Sequence, residues 1–188
     1  MAKTKDMALA NIAAVQIVTE EDVPVTHTLI EVASKAEASA YISAGQDEEL
    51  RVKNTIHAQN KTEDIVKGYE IGFSTVKAFL PVLALVDGGK WDDASGKYTG
   101  PVAGKPTERT QFTLKVYTED LDYNGDIKGY VCFVFKHCKG TPVNFIIEDG
   151  TFIANDMKLK SSPRFGENVI EFEQVEELPK EVEGELGK

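Results

Sequence analysis

The segment Leu50–Trp91, LRVKNTIHAQNKTEDIVKGYEIGFSTVKAFLPVLALVDGGKW, changes its hydrophobic pattern once, and that change decides the fold. In its first part, Tyr69, Ile71 and Phe73 recur at every second position, which places their side chains on one face of a β-strand. In its second part, an apolar run begins near Pro81, which suits the first turn of a helix, and ends in a glycine pair, which suits its end. Because this run has little polar surface, we expect a short helix buried against a sheet.

Strand patterns continue on both sides of this segment. We predict one long strand over Thr26–Ser43, a second over Glu48–Val66 and a third over Lys67–Val76, paired as consecutive antiparallel neighbours. Beyond the helix, Gln111–Thr118 alternates apolar and polar residues. Gly129–His137 is apolar on both faces, which predicts a central strand covered on both sides. The chain is therefore expected to be mainly β and antiparallel.

A possible calcium loop lies between those last two strands. The sequence there reads Asp120-x-Asp122-x-Asn124-Gly125, which is how an EF-hand loop begins. Position 12 of such a loop would be Val131 instead of Glu, and both flanks are predicted strands instead of helices. Asn-Gly is also the favoured dipeptide of a two-residue hairpin turn. We therefore predict a hairpin turn, and a weak cation site within it stays an open alternative.

Charge argues against a nucleic-acid-binding surface. The formal net charge of the 188 residues is −10, and the part from Glu167 onward holds eight acidic and two basic residues, or −6 of that total. A protein that grips nucleic acid presents a basic face. No run reaches the roughly 18 apolar residues of a membrane helix, and the N-terminus has no strong signal-peptide pattern. We expect no membrane partner.

The two cysteines are expected to be free thiols. Cys132 and Cys138 lie six residues apart on one predicted strand, and six extended residues span roughly 20 Å. A disulfide tolerates only about 6 Å between its Cα atoms. Free thiols indicate a reducing compartment.

No catalytic, cofactor-binding or metal-binding residues are expected. The phosphate loop requires Gly-Lys followed by Ser or Thr before a helix, whereas Tyr98 follows Gly96-Lys97 and Pro106 follows Gly104-Lys105. The three histidines have no partner at metal-ligand spacing, and we expect His137 to be a strand-end residue. No nucleophile signature is present. The sequence therefore does not predict an enzyme.

The segment Leu50–Trp91 resembles the major tail tube proteins of tailed bacteriophages, especially those of Gram-positive hosts. The shared order is a strand RVKNTIHAQ, a loop NKTEDIV, a strand GYEIGFS and a short helix FLPVLALVDGG that ends in Gly-Gly. This family implies an antiparallel β-sandwich or half-barrel with one short packed α-helix. We accordingly expect an N-terminal arm over residues 1–25, a tail-tube β domain over 26–177 and, from its composition, an acidic flexible tail over 178–188.

The resemblance also implies a structural role in the virion. Tail tube proteins form hexameric rings that stack around a tape-measure protein into a tube, which delivers DNA to the host. The implied partners are further copies of the chain, the tape-measure protein, and the tail terminator and tip proteins. DNA passes through the lumen without specific binding. Such a protein is made and assembled in the host cytoplasm and resides in the virion tail.

Three segments are candidates for contacts between stacked rings. They are the N-terminal arm Met1–Val25, the loop Asn60–Ile65 and the long polar loop Gly88–Thr110. Extended arms of this kind are expected to order only on assembly, so the arm should be dispensable for folding of the monomer.

Two alternatives stay open. The first is a tube protein of a contractile tail or injection system, which shares the fold. The second is a soluble β-sandwich that binds carbohydrate, with Trp91, Tyr98 and Tyr123 as stacking residues. A binding module would be a stable monomer, whereas a tube protein should oligomerise.

Overall fold

The computed structural model describes residues 6–30, 33–145, 149–150 and 155–180, and more than half of them lie in strands. In chain order the elements are β1 (Leu9–Thr19), β2 (Thr26–Ile30), β3 (Ala33–Ser43), β4 (Asp47–Val52), β5 (Thr55–Lys61), β6 (Ile65–Thr75), α1 (Leu80–Asp87), β7 (Lys90–Asp92), β8 (Lys97–Thr99), β9 (Phe112–Leu121), β10 (Ile127–Gly140), β11 (Asn155–Ser161) and β12 (Glu171–Val175).

One antiparallel sheet dominates the structure. Its strand order is β2-β1-β9-β10-β11-β6-β3, and β12 joins it alongside β10. β9 pairs along one edge of β10, whereas β12 and β11 share the other edge. The prediction of a central strand over Gly129–His137 is thereby confirmed.

The sheet curls so that β1 approaches β3 across the interior. The side chains that fill the interior come from both halves of the sheet and from α1, and they include Val15, Ile17, Ile71, Phe73, Val82, Val86, Phe112, Leu114, Phe135, Met157 and Leu159. On β9 the buried residues Phe112, Leu114 and Val116 follow the predicted alternation, whereas Tyr117 is buried in a second, smaller cluster. The predicted fold class, a mainly β antiparallel sandwich or half-barrel with one short packed helix, is confirmed.

The helix begins and ends where the sequence indicates. Proline occupies its first turn, and Gly88 follows its last residue with a φ of 82°, a left-handed conformation that glycine adopts without strain. α1 packs very closely on the end of β10. A Cβ atom on Gly140 would lie 2.0 Å from the carbonyl oxygen of Val86, so only glycine permits this approach.

The expected N-terminal arm over residues 1–25 needs correction. Leu9–Thr19 of this segment is β1, which pairs with β2 on one edge and β9 on the other. Val15 and Ile17 are fully buried in the core. Burying two such side chains stabilises a fold by about 1.5–3 kcal/mol each, so this segment belongs to the folded domain. Residues 1–5 of the expected arm and residues 181–188 of the expected tail lie outside the described residues.

Two of the long predicted strands are divided in the structure. The stretch Thr26–Ser43 contains β2 and β3, which pair with β1 and with β6, at the two ends of the sheet order. The stretch Glu48–Val66 does not cross the sheet. It turns back at Lys53-Asn54 and forms the β4–β5 hairpin before entering β6. β6 therefore pairs directly with β3, and the hairpin is an excursion between them.

Candidate assembly surfaces

The β4–β5 hairpin is a candidate contact surface because it has no partner within the described chain. β4 and β5 pair only with each other, and every residue of both strands is exposed. The seven residues of β5 extend over about 20 Å. Leu50, Val52 and Ile56 are exposed apolar side chains on this arm. An isolated two-stranded hairpin is marginal in water, so these side chains favour contact with another surface.

Hydrogen bonds fix the base of the arm. The Gln46 amide donates to the Thr62 hydroxyl oxygen at 2.7 Å, and the Thr62 amide donates to the Gln46 carbonyl oxygen at 2.9 Å. The Gly45 amide donates to the Asp64 carboxylate at 2.7 Å. A Cβ on Gly45 would lie 1.8 Å from the Thr62 carbonyl oxygen. The arm therefore leaves the body of the protein from a close contact that requires glycine.

The strands at the two ends of the sheet order, β3 and β2, each have one edge with no partner strand among the described residues. β3 pairs with β6 on one side, its other edge has no partner strand among the described residues, and its residues Ser34–Ala40 are all exposed. β2 is the terminal strand at the opposite end. An unpaired edge presents backbone N–H and C=O groups that can pair with a strand of another chain. The eleven residues of β3 form an unusually long edge for a monomer.

The outer face of β3, β6 and β11 carries balanced charge. In register across the three strands stand Lys35, Ser74 and Asp156, then Glu37, Gly72 and Lys158, then Ser39, Glu70 and Lys160. These rows hold three basic and three acidic residues. Exposed ion pairs link Lys35 with Glu37 at 2.9 Å and Lys160 with Glu70 at 3.3 Å. Such pairs contribute little to stability, and a face of this composition has no net attraction for phosphate.

The segment Gly88–Thr110 is more ordered than a surface loop. It contains the β7–β8 hairpin, which packs on α1. Asp87, the last residue of α1, accepts the Tyr98 hydroxyl with one carboxylate oxygen and the Val143 amide, at 2.9 Å, with the other. Burial, followed by the contact with Asp87, raises the pKa of Tyr98. The remaining part, residues 100–110, is largely irregular.

The loop Asn60–Ile65 does not form the end of the arm. Asn60 belongs to β5, Ile65 begins β6, and the residues between them form the base of the hairpin. The exposed turn at Lys53-Asn54 lies at the other end. Sequence reasoning missed this turn, although a short polar pair between two alternating runs is a hairpin signal. The strand order that places β3 at an end of the sheet could not be predicted either, because it is not encoded in a local pattern.

The acidic segment after β9 is the turn of a hairpin, as predicted, but it is longer than a two-residue turn, since β9 ends at Leu121 and β10 begins at Ile127. The Asp122 carboxylate accepts the amides of Asn124 and Asp126 at 2.8 and 2.9 Å, and Gly125 has a φ of 87°. Backbone hydrogen bonds, of which the one from the Asp126 amide has the largest effect, hold the pKa of the Asp122 carboxyl group below its usual value. Within the described residues, no group of three or more His, Cys, Asp or Glu side chains is arranged to hold a metal ion.

The residues proposed for carbohydrate stacking do not share a surface. Trp91 and Tyr98 are opposite each other on the β7–β8 hairpin, where the hydroxyl of Tyr98 is used by Asp87. Tyr123 lies on the turn after β9 and lines a separate depression with Asp6 and Lys128.

Both cysteines are free and buried. Cys138 belongs to the interior core and Cys132 to a smaller cluster on the opposite face of β10, with Ala14 and Tyr117. Burial raises the pKa of Cys138 to about 12 and also raises that of Cys132. Both thiols are therefore shielded from solvent and held in the neutral form.

Comparison with known proteins finds similarity among solved structures. No protein-family model matches the chain, and no curated protein matches its sequence. Among solved structures, it is similar to a chain in the cryo-EM structure of the anti-feeding prophage (AFP) baseplate, 6-fold symmetrised. The sequence identity is 8% and the TM-score 0.45, over 92% of this chain and 98% of that chain. At these values the similarity establishes neither a shared family nor a shared function. No helix in the described part of the chain has the length and apolar character needed to cross a membrane.

Proposed function

We propose that this chain is a structural protein of a tailed-bacteriophage virion that forms hexameric rings, which stack into the tail tube and conduct DNA to the host. The order of strand, loop, strand and short helix along Leu50–Trp91 resembles that of tail tube proteins. The observation that carries the proposal is that the described part of the chain presents both a long sheet edge without a partner strand and an exposed hairpin whose strands pair only with each other. Stacked rings need two kinds of contact, and these surfaces supply one each.

The free edges serve contacts within a ring. The edge of β3 in one copy pairs with the edge of the next copy near β2, so each copy uses two different surfaces. A contact of this heterologous kind closes into a ring when the rotation between copies allows it. Six curled sheets joined in this way form one large barrel in which the edges of β2 and β3 are paired. The aggregation hazard of β3 in a monomer thus becomes the means of assembly.

The hairpin serves contacts between rings. The apolar side chains of Leu50, Val52 and Ile56, which are exposed in the monomer, pack against a neighbouring ring and are thereby removed from water. The bonded base at Gly45 and Thr62 sets the direction in which the arm projects. A copy in that ring contacts the following ring with its own arm, and repetition of this contact gives an open-ended stack.

The role is structural and not catalytic, and it requires no cofactor. The partners are further copies of the chain, a tape-measure protein, and terminator and tip proteins at the tube ends. DNA moves through the lumen without specific binding, in keeping with the net charge of −10 and the charge-balanced face of β3, β6 and β11. The protein is assembled in the host cytoplasm and resides in the virion tail. A tube of a contractile tail fits the same surfaces, and binding of a sheath protein to the outside of the tube distinguishes that case.

Electron microscopy of the purified protein at rising concentration tests the proposal. We expect hollow rings or tubes. The double variant Leu50→Glu/Ile56→Glu should form rings at most, because both positions are exposed in the monomer, at 62% and 49%, and carry charge into the ring-to-ring contact. Ile127→Glu, at the start of β10 and also 49% exposed, is the matched control and should still form tubes.

Two results would count against the proposal. Monomers at every concentration, with and without a tail-tip partner, exclude the tube. Tubes of normal length from the double variant exclude the hairpin as the ring-to-ring contact and leave the ring itself to be tested separately.

A further inference from the structure

His137 lies in a β-bulge at the point where the edge of β10 changes partner. β12 pairs with residues Tyr130–Val134 of β10, β11 pairs with Cys138–Gly140, and the register with β9 shifts between Phe135 and Cys138. His137 has a φ of 52°, a left-handed conformation that is uncommon for residues with a side chain. Such strained positions persist where neighbouring contacts hold them.

Two carboxylates hold the imidazole ring of His137, one at each nitrogen. Glu20, just after β1, contacts Nδ1. Glu167, in the connection between β11 and β12, contacts Nε2 at 3.0 Å. Glu20 also accepts the His137 amide and the Thr113 hydroxyl, each at 2.9 Å. The His137 side chain is only 12% exposed, so these contacts are partly shielded from water.

The connection that carries Glu167 is tied to the body at the same place. The Ser162 amide donates to the His137 carbonyl oxygen at 3.2 Å. The Arg164 amide donates to the Glu167 carboxylate at 2.8 Å, and the Glu167 amide donates back to the Arg164 carbonyl oxygen at 3.0 Å. Phe165, at the tip of this turn, is fully exposed. Through Glu20 and Glu167, the ring of His137 connects the end of β1 with the turn in which Phe165 is exposed.

The ring can donate to both carboxylates only when it is protonated. Neutral imidazole has one N–H and one lone pair, so one carboxylate would then face a lone pair and be repelled. The imidazolium ion donates from both nitrogens, and hydrogen bonds between ionised groups are the strongest kind. Histidine side chains in general change charge between about pH 5 and 8.

Several other charged or titratable groups lie near the ring. Around His137 stand Glu20, Glu167, Arg164, Lys136, Cys138 and Glu171. Lys136 is paired with Glu171 at 2.7 Å. The buried Cys138 thiol stays protonated, because burial raises its pKa to about 12. The ring therefore lies between two carboxylates, of which Glu167 also interacts with the charges of Arg164 and Lys136.

We propose that Glu20, His137 and Glu167 form a proton-dependent clasp that holds the turn of residues 162–168, and with it Phe165, in one fixed position. The clasp is closed while the ring is protonated and both carboxylates are ionised. It opens when the ring loses its proton as the pH rises, and the turn is then held only by its backbone hydrogen bonds.

A lower limit of pH follows from the carboxylates. Partial burial opposes ionisation of Glu20, but hydrogen bonds from His137 and Thr113 outweigh it and hold the pKa of Glu20 below its usual value. The amide of Arg164, and then the contact with His137, lower the pKa of Glu167. A carboxylate whose pKa is lower in the folded protein than in the unfolded chain stabilises the fold at pH values above its unfolded-state pKa. This stabilisation is lost as the pH falls through the folded-state pKa. The clasp therefore has a window of pH with an upper and a lower limit.

Limited trypsin cleavage after Arg164 tests the clasp. Over the pH range in which the protein stays folded, cleavage of the wild-type chain, relative to His137→Asn at the same pH, should be slow while the ring is protonated and about tenfold faster once it is neutral, since a charge-assisted hydrogen bond is lost. Asparagine tolerates the left-handed backbone but does not titrate, so His137→Asn should be cleaved quickly at every pH. Glu167→Gln should behave like it.

His57→Asn, on the exposed β5 strand, is the matched control and should keep the wild-type profile. The wild-type protein also allows a test without substitution. Its imidazole ¹⁵N resonances should show that both nitrogens of His137 carry protons while Arg164 is protected from cleavage. Cleavage that does not depend on pH, or a ring with a single N–H throughout the range, overturns the proposal. Rings and tubes in the microscope bear on the proposed function and leave this test unaffected.

Discussion

The hydroxyl of Tyr98 donates a hydrogen bond to the carboxylate of Asp87, so the last residue of α1 holds the β7–β8 hairpin. The same carboxylate accepts the buried amide of Val143 at 2.9 Å. One side chain thus joins three segments that are separate in the sequence.

Tyr98→Phe should therefore destabilise the protein by about 1–3 kcal/mol, because it leaves a half-satisfied carboxylate that is mostly buried. Urea unfolding followed by circular dichroism measures this. Tyr123→Phe, which removes the hydroxyl of a fully exposed tyrosine, is the control and should be within about 0.5 kcal/mol of wild type. Equal stability of the two variants would show that the Asp87 contact contributes nothing.

Gly45→Ala should impair tube formation more than it impairs folding. A Cβ there meets the Thr62 carbonyl oxygen at 1.8 Å, so the base of the arm must shift, while the core lies elsewhere. Gly72→Ala is the control, because a Cβ on Gly72 has no neighbouring atom within 4 Å. Sedimentation and electron microscopy should show shorter or absent tubes for Gly45→Ala alone. Normal tubes from both variants would indicate that the direction of the arm is unimportant.

Deletion of residues 1–25 should prevent folding. It removes β1, with the fully buried Val15 and Ile17, and leaves β2 and one edge of β9 without a partner. A loss of several kcal/mol from these two side chains alone is a large part of a typical stability of about 5–15 kcal/mol. This replaces the expectation that the segment is a dispensable arm. A cooperative unfolding transition in the deleted protein would contradict it.

Both thiols should be unreactive in the folded protein. Cys138 has no exposed surface and a pKa raised to about 12 by burial, so little thiolate is present near neutral pH. Labelling with a thiol-specific reagent should give no fast phase in the native state and two labelled residues after unfolding. A fast native phase would show that one of the strands flanking β10 opens readily.

The sequence predicted elements well where a local pattern was sufficient. The helix at Leu80–Asp87 combines a proline at its start with a glycine after its end, and both signals act within a few residues. The turn at Asn124-Gly125 was correct for the same reason, since its hydrogen bonds lie within the turn.

The sequence was less informative where pairing joins distant segments. Ala13 and Ala14 weaken the apolar pattern of β1, and only the contacts with β9 show that this strand is internal. The apolar alternation around Val52 and Ile56 is equally consistent with a long strand in the sheet and with an exposed arm. What decides between them is the direct pairing of β3 with β6. The clasp at His137 joins residues from three parts of the chain, and no spacing in the sequence indicates it.

The pairing of β1 with β9 has a consequence for synthesis on the ribosome. Gln16 of β1 and Tyr117 of β9 are 101 positions apart. At about 5–20 residues per second, β1 therefore waits roughly 5–20 s for its partner strand. During that time its apolar residues can pair only with β2, and a second nascent chain on the same message presents the same unpaired strand nearby. The crowding of ribosomes on the message, and any chaperone that covers residues 9–19, should therefore influence the yield of correctly folded subunits.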